Sequence, residues 1–231
     1  APADERENYM SIIDEMNAKF SRVAGVRFCS SAELYPEIAE SRPVLVVDNG
    51  LGRLVLALHG AHVMSFTPKG GRDILWLSPQ TGLAEGKPIR GGIPLCMPWF
   101  GPHPDGLPLH GFARLMLWQV DDITSQADGS TSVALSLRDT KETRDVWPHE
   151  FLFRFEIGVG NALSLDMMAM NESKSRAEFA FAFHTYFDVA DISKTTVEGL
   201  ENATYLDRLD GDAEKSHAGA LVFKGETQRL Y

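Results

Sequence analysis

Apolar residues recur every three or four positions near the start of the chain and every second position later. Within residues 7–20, Tyr9, Ile13, Met16 and Phe20 are separated mainly by polar and acidic residues, the spacing of one face of an amphipathic helix. Beyond about residue 43 the period becomes two, as in strands with one buried face. The pattern therefore predicts a short N-terminal helix followed by β-structure.

Short β-like segments follow one another between turn signals. The first, 44–48, is followed by Asn49-Gly50, a strong hairpin turn, and by a returning strand at 52–58. Further strands are predicted at 63–66, 74–77, 131–137, 151–157, 163–170 and 177–183. No helical pattern of comparable quality follows the first twenty residues, which excludes a doubly wound α/β fold. We expect an all-β domain, a large antiparallel β-sandwich.

The composition fits an ordinary globular protein and argues against two classes of partner. Apolar residues make up 44% of the chain and charged residues 23%. The net charge of −10 disfavours nucleic acid, because phosphate backbones need a basic surface. No apolar run approaches the roughly 18 residues of a membrane span. A few arginines in one pocket can still hold a small phosphorylated ligand.

Cysteine usage and the absence of several motifs narrow the chemistry. Cys29 and Cys96 are far apart and belong to no Cys-x-x-Cys pair, so we expect two free thiols in a reducing compartment and no metal site. The charged first residues lack the apolar core of a signal peptide, which favours a cytoplasmic location. Motifs for zinc proteases, serine hydrolases and P-loop enzymes are absent. We expect a monomer.

The central segment 82–114 is rich in glycine and proline and contains several chemically active side chains. Arg90 precedes Gly91-Gly92, and glycines let a ligand approach the backbone closely. An arginine offers a planar fork suited to phosphate. His110 and Arg114 lie close together in the sequence and can converge on one pocket. Such a segment is either a functional loop or a long ordered connection between sheets, and composition leaves both open.

His184 stands out among the seven histidines because of its surroundings. It ends the apolar stretch 179–183 and is followed by Thr185-Tyr186-Phe187. A titratable ring at the end of a buried strand is suited to donate or accept a proton near neutral pH. A core histidine that bonds to the backbone fits the same pattern, so the residues alone do not decide between the two.

Several motifs, in order and spacing, resemble the D-hexose-6-phosphate mutarotases, the glucose-6-phosphate 1-epimerase branch of the aldose 1-epimerase superfamily. The resemblance covers residues ~44–231. It rests on Leu58-His59-Gly60-Ala61-His62-Val63, Leu75-Trp76-Leu77-Ser78, Arg90-Gly91-Gly92-Ile93-Pro94, Pro98-Trp99-Phe100-Gly101, His110-Gly111-Phe112-Ala113-Arg114, Trp147-Pro148-His149, His184-Thr185-Tyr186-Phe187, Asp191-Ile192 and Gly199-Leu200.

The resemblance implies a β-sandwich enzyme, an isomerase that interconverts the α and β anomers of a hexose 6-phosphate without a cofactor. His184 matches the family's acid, which protonates the ring oxygen while a carboxylate base removes the proton of the C1 hydroxyl. Arg90 matches a substrate-binding arginine that grips the phosphate. His110 and Arg114 match positions in the substrate pocket. The implied partner is therefore a small sugar phosphate.

The chain departs from the family pattern in two places. The family's base is a glutamate that we expect beyond residue 231, so the resemblance implies a sandwich without its last strands. Gln228 stands where the family often has an aspartate that contacts substrate; an amide can still bond a sugar hydroxyl. Two alternatives stay open, a mutarotase for unphosphorylated aldoses and a noncatalytic sugar-binding sandwich. We expect an N-terminal extension at 1–43 and the sandwich at 44–231.

Overall fold

The computed structural model describes residues 3–38 and 40–231, with side chains from Glu7 onward. A helix, α1 (Ala3–Lys19), precedes the strands. Tyr9 and Ile13, four residues apart on one face of α1, are buried. The predicted amphipathic helix is confirmed.

The first sheet consists of four antiparallel strands in chain order. They are β1 (Val26–Ser30), β2 (Pro43–Asp48), β3 (Gly52–Ala57) and β4 (His62–Pro68). The predicted turn joins β2 to β3, and Asn49 Oδ1 accepts hydrogen bonds from the N–H groups of Leu51 and Gly52. The apolar pattern does not predict β1. Only two residues of this strand, Phe28 and Cys29, are buried, so no alternation is visible in the sequence.

A short strand and the second sheet follow. The strand β5 (Leu95–Cys96) lies within the glycine- and proline-rich segment. The second sheet contains four antiparallel strands in chain order, β6 (Gln119–Ser125), β7 (Thr131–Arg138), β8 (Phe151–Val159) and β9 (Leu163–Asn171). Buried and half-buried positions alternate from Thr131 to Leu137, as expected for a strand with one buried face. The strands predicted in this region are confirmed.

A second, six-residue helix interrupts the strands. This helix, α2 (Lys141–Val146), begins with a capping box between Thr140 and Thr143. It is too short for apolar periodicity to reveal it. No helix in the described ranges is both long and apolar enough to cross a lipid bilayer. Cys29 and Cys96 are free and buried, in agreement with the prediction of free thiols.

Both four-stranded sheets contribute to one hydrophobic core. Leu54 from the first sheet and Phe155 from the second belong to the same buried cluster. The side-chain amide of Asn49 also donates to Thr131 Oγ1 at 3.0 Å and to the Val159 carbonyl at 2.8 Å. Two sheets packed across a shared core form a sandwich, so the predicted fold class is confirmed.

The strand predicted at 74–77 does not form as a continuous ladder. Leu75 bridges to Phe187, and Leu77 bridges to Gly91, each as an isolated pair. The positive φ of Gly91, 95°, turns the partner backbone away from the extended conformation that a longer ladder needs.

Most of the strand predicted at 177–183 also lacks a regular ladder. Only β10 (Ala182–Phe183) is a strand, and it pairs with β5. The next inter-strand bond runs from the Ala180 N–H to the Pro98 carbonyl at 2.9 Å. Pro98 has no N–H group with which to continue the ladder.

The described residues form two compact units, one up to Phe187 and one from Asp188 to Tyr231. The second unit contains β11 (Thr196–Val197), β12 (Thr204–Asp207), β13 (Ala213–Ser216), β14 (Leu221–Val222) and β15 (Arg229–Leu230). In it β11 pairs with β14, and β12 pairs with both β13 and β15. The boundary predicted between residues 43 and 44 stays a prediction, although it falls within β2, which pairs with β1 in one sheet.

Candidate active site

The backbone frame of the candidate site is the 91–96 segment together with the segment that contains β10. Beyond the β5–β10 pair, the His184 N–H donates to the Pro94 carbonyl at 3.1 Å. The Tyr186 N–H donates to the Gly92 carbonyl at 2.9 Å. These bonds fix the backbone on which the His184 ring is mounted, next to the glycine pair.

Five rings form a continuous row over this frame, which we call the aromatic row: Phe100, His110, His184, Tyr186 and Trp76. Successive ring centroids are 4.8, 5.8, 4.9 and 6.0 Å apart. Phe100 is 43% exposed and Trp76 41%, while the three rings between them are half-buried. Partly exposed aromatic rings interspersed with polar groups suit a ligand with both apolar and polar faces, such as a sugar ring.

The His110 ring is held in one orientation by its own backbone neighbours. Its Nδ1 atom accepts a hydrogen bond from the Gly101 N–H at 3.0 Å, so a neutral ring carries its proton on Nε2. Burial lowers the pKa of His110, and the charges of Arg114 and His184 lower it further. The predominantly neutral ring therefore has Nε2–H as its donor.

Arg114 is the central cation of the site. One of its Nη2–H groups donates to the Leu109 carbonyl at 2.6 Å, and its buried Nε–H has no partner among the described residues. Burial lowers the pKa of Arg114; Cys96 opposes this effect and Arg90 adds to it. Two guanidinium groups therefore lie within electrostatic reach of each other.

The arginine pair has no counter-charge in the described part of the chain. None of the ion pairs found there includes Arg90 or Arg114. No carboxylate is among the groups that shift the pKa of His110 or Arg114. The Arg90 side chain is exposed, and its backbone N–H donates to Thr81 Oγ1 at 2.8 Å. The site therefore favours an anionic ligand.

The glycine pair after Arg90 is required by tight packing. A Cβ atom on Gly91 would lie 2.4 Å from the Trp76 carbonyl oxygen, and one on Gly92 would lie 2.2 Å from the Val63 carbonyl oxygen. Both residues have positive φ, 95° and 61°. The backbone after Arg90 thus passes between the first sheet and the 76–78 segment, where any side chain would collide.

The structure brings four of the five predicted site residues into one neighbourhood. The rings of His184 and His110 are in contact. The charge of Arg114 lowers the pKa of His110, and the charge of Arg90 lowers the pKa of Arg114. Gln228 lies in the second unit, where its side-chain amide donates to Glu226 at 2.8 Å. The roles of all five residues stay predictions.

Three members of the aromatic row were not predicted as site residues: Trp76, Phe100 and Tyr186. Their segments already stood out as family-like motifs, and the available signal was the aromatic residues that these motifs contain. Among the described residues, no group of three or more His, Cys, Asp or Glu side chains could hold a metal ion.

Comparison with known proteins places this geometry in a family. The family model described as aldose 1-epimerase matches residues 43–220. The chain belongs to the aldose 1-epimerase family. The match includes the whole 82–114 segment and the aromatic row, so the candidate site lies in the part of the chain that defines the family.

Two curated relatives are named "Putative glucose-6-phosphate 1-epimerase". The protein from Escherichia coli (strain K12) is 38% identical over 190 residues, which are 81% of this chain and 63% of the relative. The protein from Cenchrus ciliaris is 38% identical over 183 residues, 75% of this chain and 55% of the relative. The chain thus spans less than two thirds of the length of these family members.

Solved structures show the same fold. A crystal structure from Salmonella typhimurium, titled as that of a "putative mutarotase", has a TM-score of 0.75 at 34% identity and covers 81% of this chain and 62% of that one. The Slr1438 protein from Synechocystis sp. PCC 6803 has a TM-score of 0.65 at 26% identity, with 78% and 63% covered. The large antiparallel β-sandwich expected from the sequence is confirmed.

Proposed function

We propose that the protein interconverts the α and β anomers of a hexose 6-phosphate, with His184 as the acid and Arg90 and Arg114 as phosphate contacts. The arginine pair without a carboxylate partner in the described residues is the observation that carries this proposal. Two guanidinium groups complement the charge and oxygen geometry of a phosphate. The names of the Escherichia coli and Cenchrus relatives support the same substrate class.

The proposed reaction is a ring opening and closure driven by proton transfer. His184 donates a proton to the ring oxygen as a base removes the proton of the C1 hydroxyl. The bond between C1 and the ring oxygen breaks, which yields the open-chain aldehyde. Rotation about the C1–C2 bond and the reverse proton transfers close the ring on the other face. We assign the base to no described residue, since none matches the family's glutamate.

His110 has a separate task in this scheme. Its neutral ring directs an Nε2–H donor from a fixed position beside His184. Such a donor can hold a sugar hydroxyl without removing the proton that His184 must deliver. The outer rings of the aromatic row, Trp76 and Phe100, then offer apolar surface to the carbon face of the sugar.

A mutarotase for unphosphorylated aldoses is the second candidate, because the aromatic row serves a free sugar equally well. A noncatalytic sugar-binding sandwich is the third. Exchange NMR on the full-length protein, with glucose 6-phosphate and glucose at equal concentration, separates them. We expect faster exchange between the anomers of the phosphate. Equal rates would favour the second candidate, and binding without exchange the third. A cytoplasmic monomer that needs no cofactor stays our prediction.

A further inference from the structure

A buried histidine lies directly beneath the turn that follows Arg90. His62, the first residue of β4, is 1% exposed, and its Nε2 atom lies 2.8 Å from the Gly91 carbonyl oxygen. A carbonyl oxygen can only accept, so Nε2 carries the proton and donates. A Cβ atom on Gly92 would lie 2.8 Å from the same Nε2. The ring therefore lies against the Gly91 carbonyl and occupies the space that a side chain on Gly92 would need.

The surroundings of His62 exclude a direct part in proton transfer. Burial lowers the pKa of His62 to about 4, with the Gly91 hydrogen bond acting in the opposite direction and Arg114 in the same direction. The neutral ring has an unprotonated Nδ1 that is buried and has no hydrogen-bond partner among the described residues. A nitrogen enclosed in this way cannot exchange protons with a substrate. The remaining role for the ring is its hydrogen bond to the Gly91 carbonyl in the turn.

The turn is anchored on its other side by hydrogen bonds to the 76–81 segment, including one from the Ser78 N–H to the Arg90 carbonyl at 3.0 Å. The Gly92 N–H donates to the Trp76 carbonyl at 2.8 Å, and the Arg90 N–H donates to Thr81 Oγ1 at 2.8 Å. Glycine backbones have wide conformational freedom, so contacts of this kind select one conformation. On the β4 side, the Val63 carbonyl accepts from the Ile93 N–H at 2.9 Å, and His62 supplies the side-chain contact to Gly91.

We infer that His62 is a positioning residue that fixes the direction in which Arg90 leaves the turn and so sets the preference of the site for phosphorylated sugars. The inference rests on the proposed function, because it takes Arg90 to be a phosphate contact. His62 acts through Gly91 and touches no substrate. Without its donor, the buried Gly91 carbonyl loses a hydrogen bond, and the turn relaxes into other conformations.

Binding of glucose 6-phosphate and of glucose, measured by titration calorimetry, tests the effect on selectivity. His62→Leu cannot donate to Gly91, whereas His62→Gln keeps an N–H donor on a side chain of similar reach. We expect His62→Leu to weaken glucose 6-phosphate binding about tenfold. This is the lower end of what one charge-assisted hydrogen bond, here from Arg90 to the phosphate, contributes. Glucose binding should stay unchanged, and His62→Gln should restore most of the loss.

His59→Leu is the matched control, because it removes a half-buried histidine whose ring contacts Arg42 and Tyr9 instead of the turn. It should leave the ratio of the two affinities unchanged. If His62→Leu binds both sugars as the wild type does, the inference is overturned. The same holds if His59→Leu lowers the ratio as much as His62→Leu. Should His62→Leu fail to fold, His62→Asn replaces it, since its shorter amide cannot reach Gly91.

Hydrogen exchange reads the turn independently of any sugar. The Gly92 N–H donates to the Trp76 carbonyl, and the Tyr186 N–H donates to the Gly92 carbonyl. We expect both to exchange about tenfold faster in His62→Leu and at the wild-type rate in His62→Gln. Unchanged exchange in His62→Leu would refute the positioning role. The two ideas can also fail separately. If the wild type binds glucose 6-phosphate no better than glucose, the proposed substrate is refuted. Faster exchange in His62→Leu would then still support the positioning of the turn.

Discussion

The imidazole rings of His110 and His184 meet edge to face, with their centroids 5.8 Å apart and their planes at 69°. His110 is held through Nδ1 by the Gly101 N–H, whereas His184 directly follows β10 and its backbone N–H donates to the Pro94 carbonyl. Two positive charges at this distance repel, and the charge of His184 accordingly lowers the pKa of His110. The pair therefore favours the neutral form of His110, which agrees with the separate tasks proposed for the two histidines.

His184→Asn should remove the acid and keep the shape of the site. We expect anomer exchange of glucose 6-phosphate to slow by roughly 10²–10⁴-fold, the usual contribution of a general acid. Substrate affinity should change little, because Asn still forms hydrogen bonds. Exchange NMR and calorimetry on the same full-length variant measure both quantities. Normal exchange in this variant would rule out His184 as the acid.

The pKa of His110 should depend on the positive charge of Arg114. Burial and two cations lower its pKa, so its ring signals in a pH series by NMR should titrate below the ordinary value of about 6.5. Arg114→Gln removes one of the cations and should move the midpoint upward, though not fully, because burial is the largest cause. A wild-type midpoint at or above the ordinary value would contradict this account of the site.

The sandwich was predictable from sequence because its central strands bury one face. The alternation in β7 from Thr131 to Leu137 is directly visible in the sequence. The edge strand β1 was not visible, since only two of its residues are buried. The helix α2 was also missed, because its six residues contain less than two turns.

The site was predictable only as far as its residues lie in motifs. His184 and Arg90 stood out by their neighbours in the chain. The aromatic row did not, because its rings come from separate segments, at Trp76, Phe100, His110 and the 184–186 stretch. Which rings touch depends on the path of the glycine-rich connection, and that path is set by backbone bonds of no fixed sequence signature. His62 was missed for the same reason.

Arg90→Ala should separate phosphate binding from sugar binding. Loss of a charge-assisted contact should weaken glucose 6-phosphate binding about 10–100-fold, with glucose binding nearly unchanged. Arg138→Ala is the matched control, because Arg138 is an exposed arginine paired with Glu172. It should leave both affinities at their wild-type values. Calorimetry at fixed ionic strength measures all four values. An equal loss for both sugars in Arg90→Ala would contradict a phosphate contact.

The buried His62 should make the fold sensitive to acid. Its folded pKa of about 4 lies below the ordinary value of about 6.5, so the unfolded chain binds the proton first as the pH falls. Burial of the neutral ring therefore leaves the unfolding free energy unchanged above about pH 6.5. Below that pH it lowers the unfolding free energy, and the loss grows down to about pH 4. At pH 5 it amounts to about 2 kcal/mol of unfolding free energy.

Urea unfolding at pH 7 and at pH 5 measures this effect. The wild type should lose more unfolding free energy between the two pH values than His62→Gln, whose side chain does not titrate. The difference between the two losses isolates His62 from the other titratable groups, including His59, whose pKa burial also lowers to about 4. Equal losses would show that His62 is not buried as a neutral ring.

Gly111, next to His110, tests how tightly the central segment is packed. Its φ is 71°, and a Cβ atom there would lie 2.0 Å from the Met97 carbonyl oxygen. Gly50 has a similar φ of 78° but nothing within 4 Å of its Cβ position. Gly50→Ala should therefore cost about 1 kcal/mol, the strain of the left-handed conformation alone. Gly111→Ala should cost about 3–5 kcal/mol, because the backbone must also move. Urea unfolding at neutral pH compares the two variants. Equal losses of unfolding free energy in the two variants would mean that the backbone around Gly111 moves easily. The fixed orientation assigned to His110 would then lose its structural support.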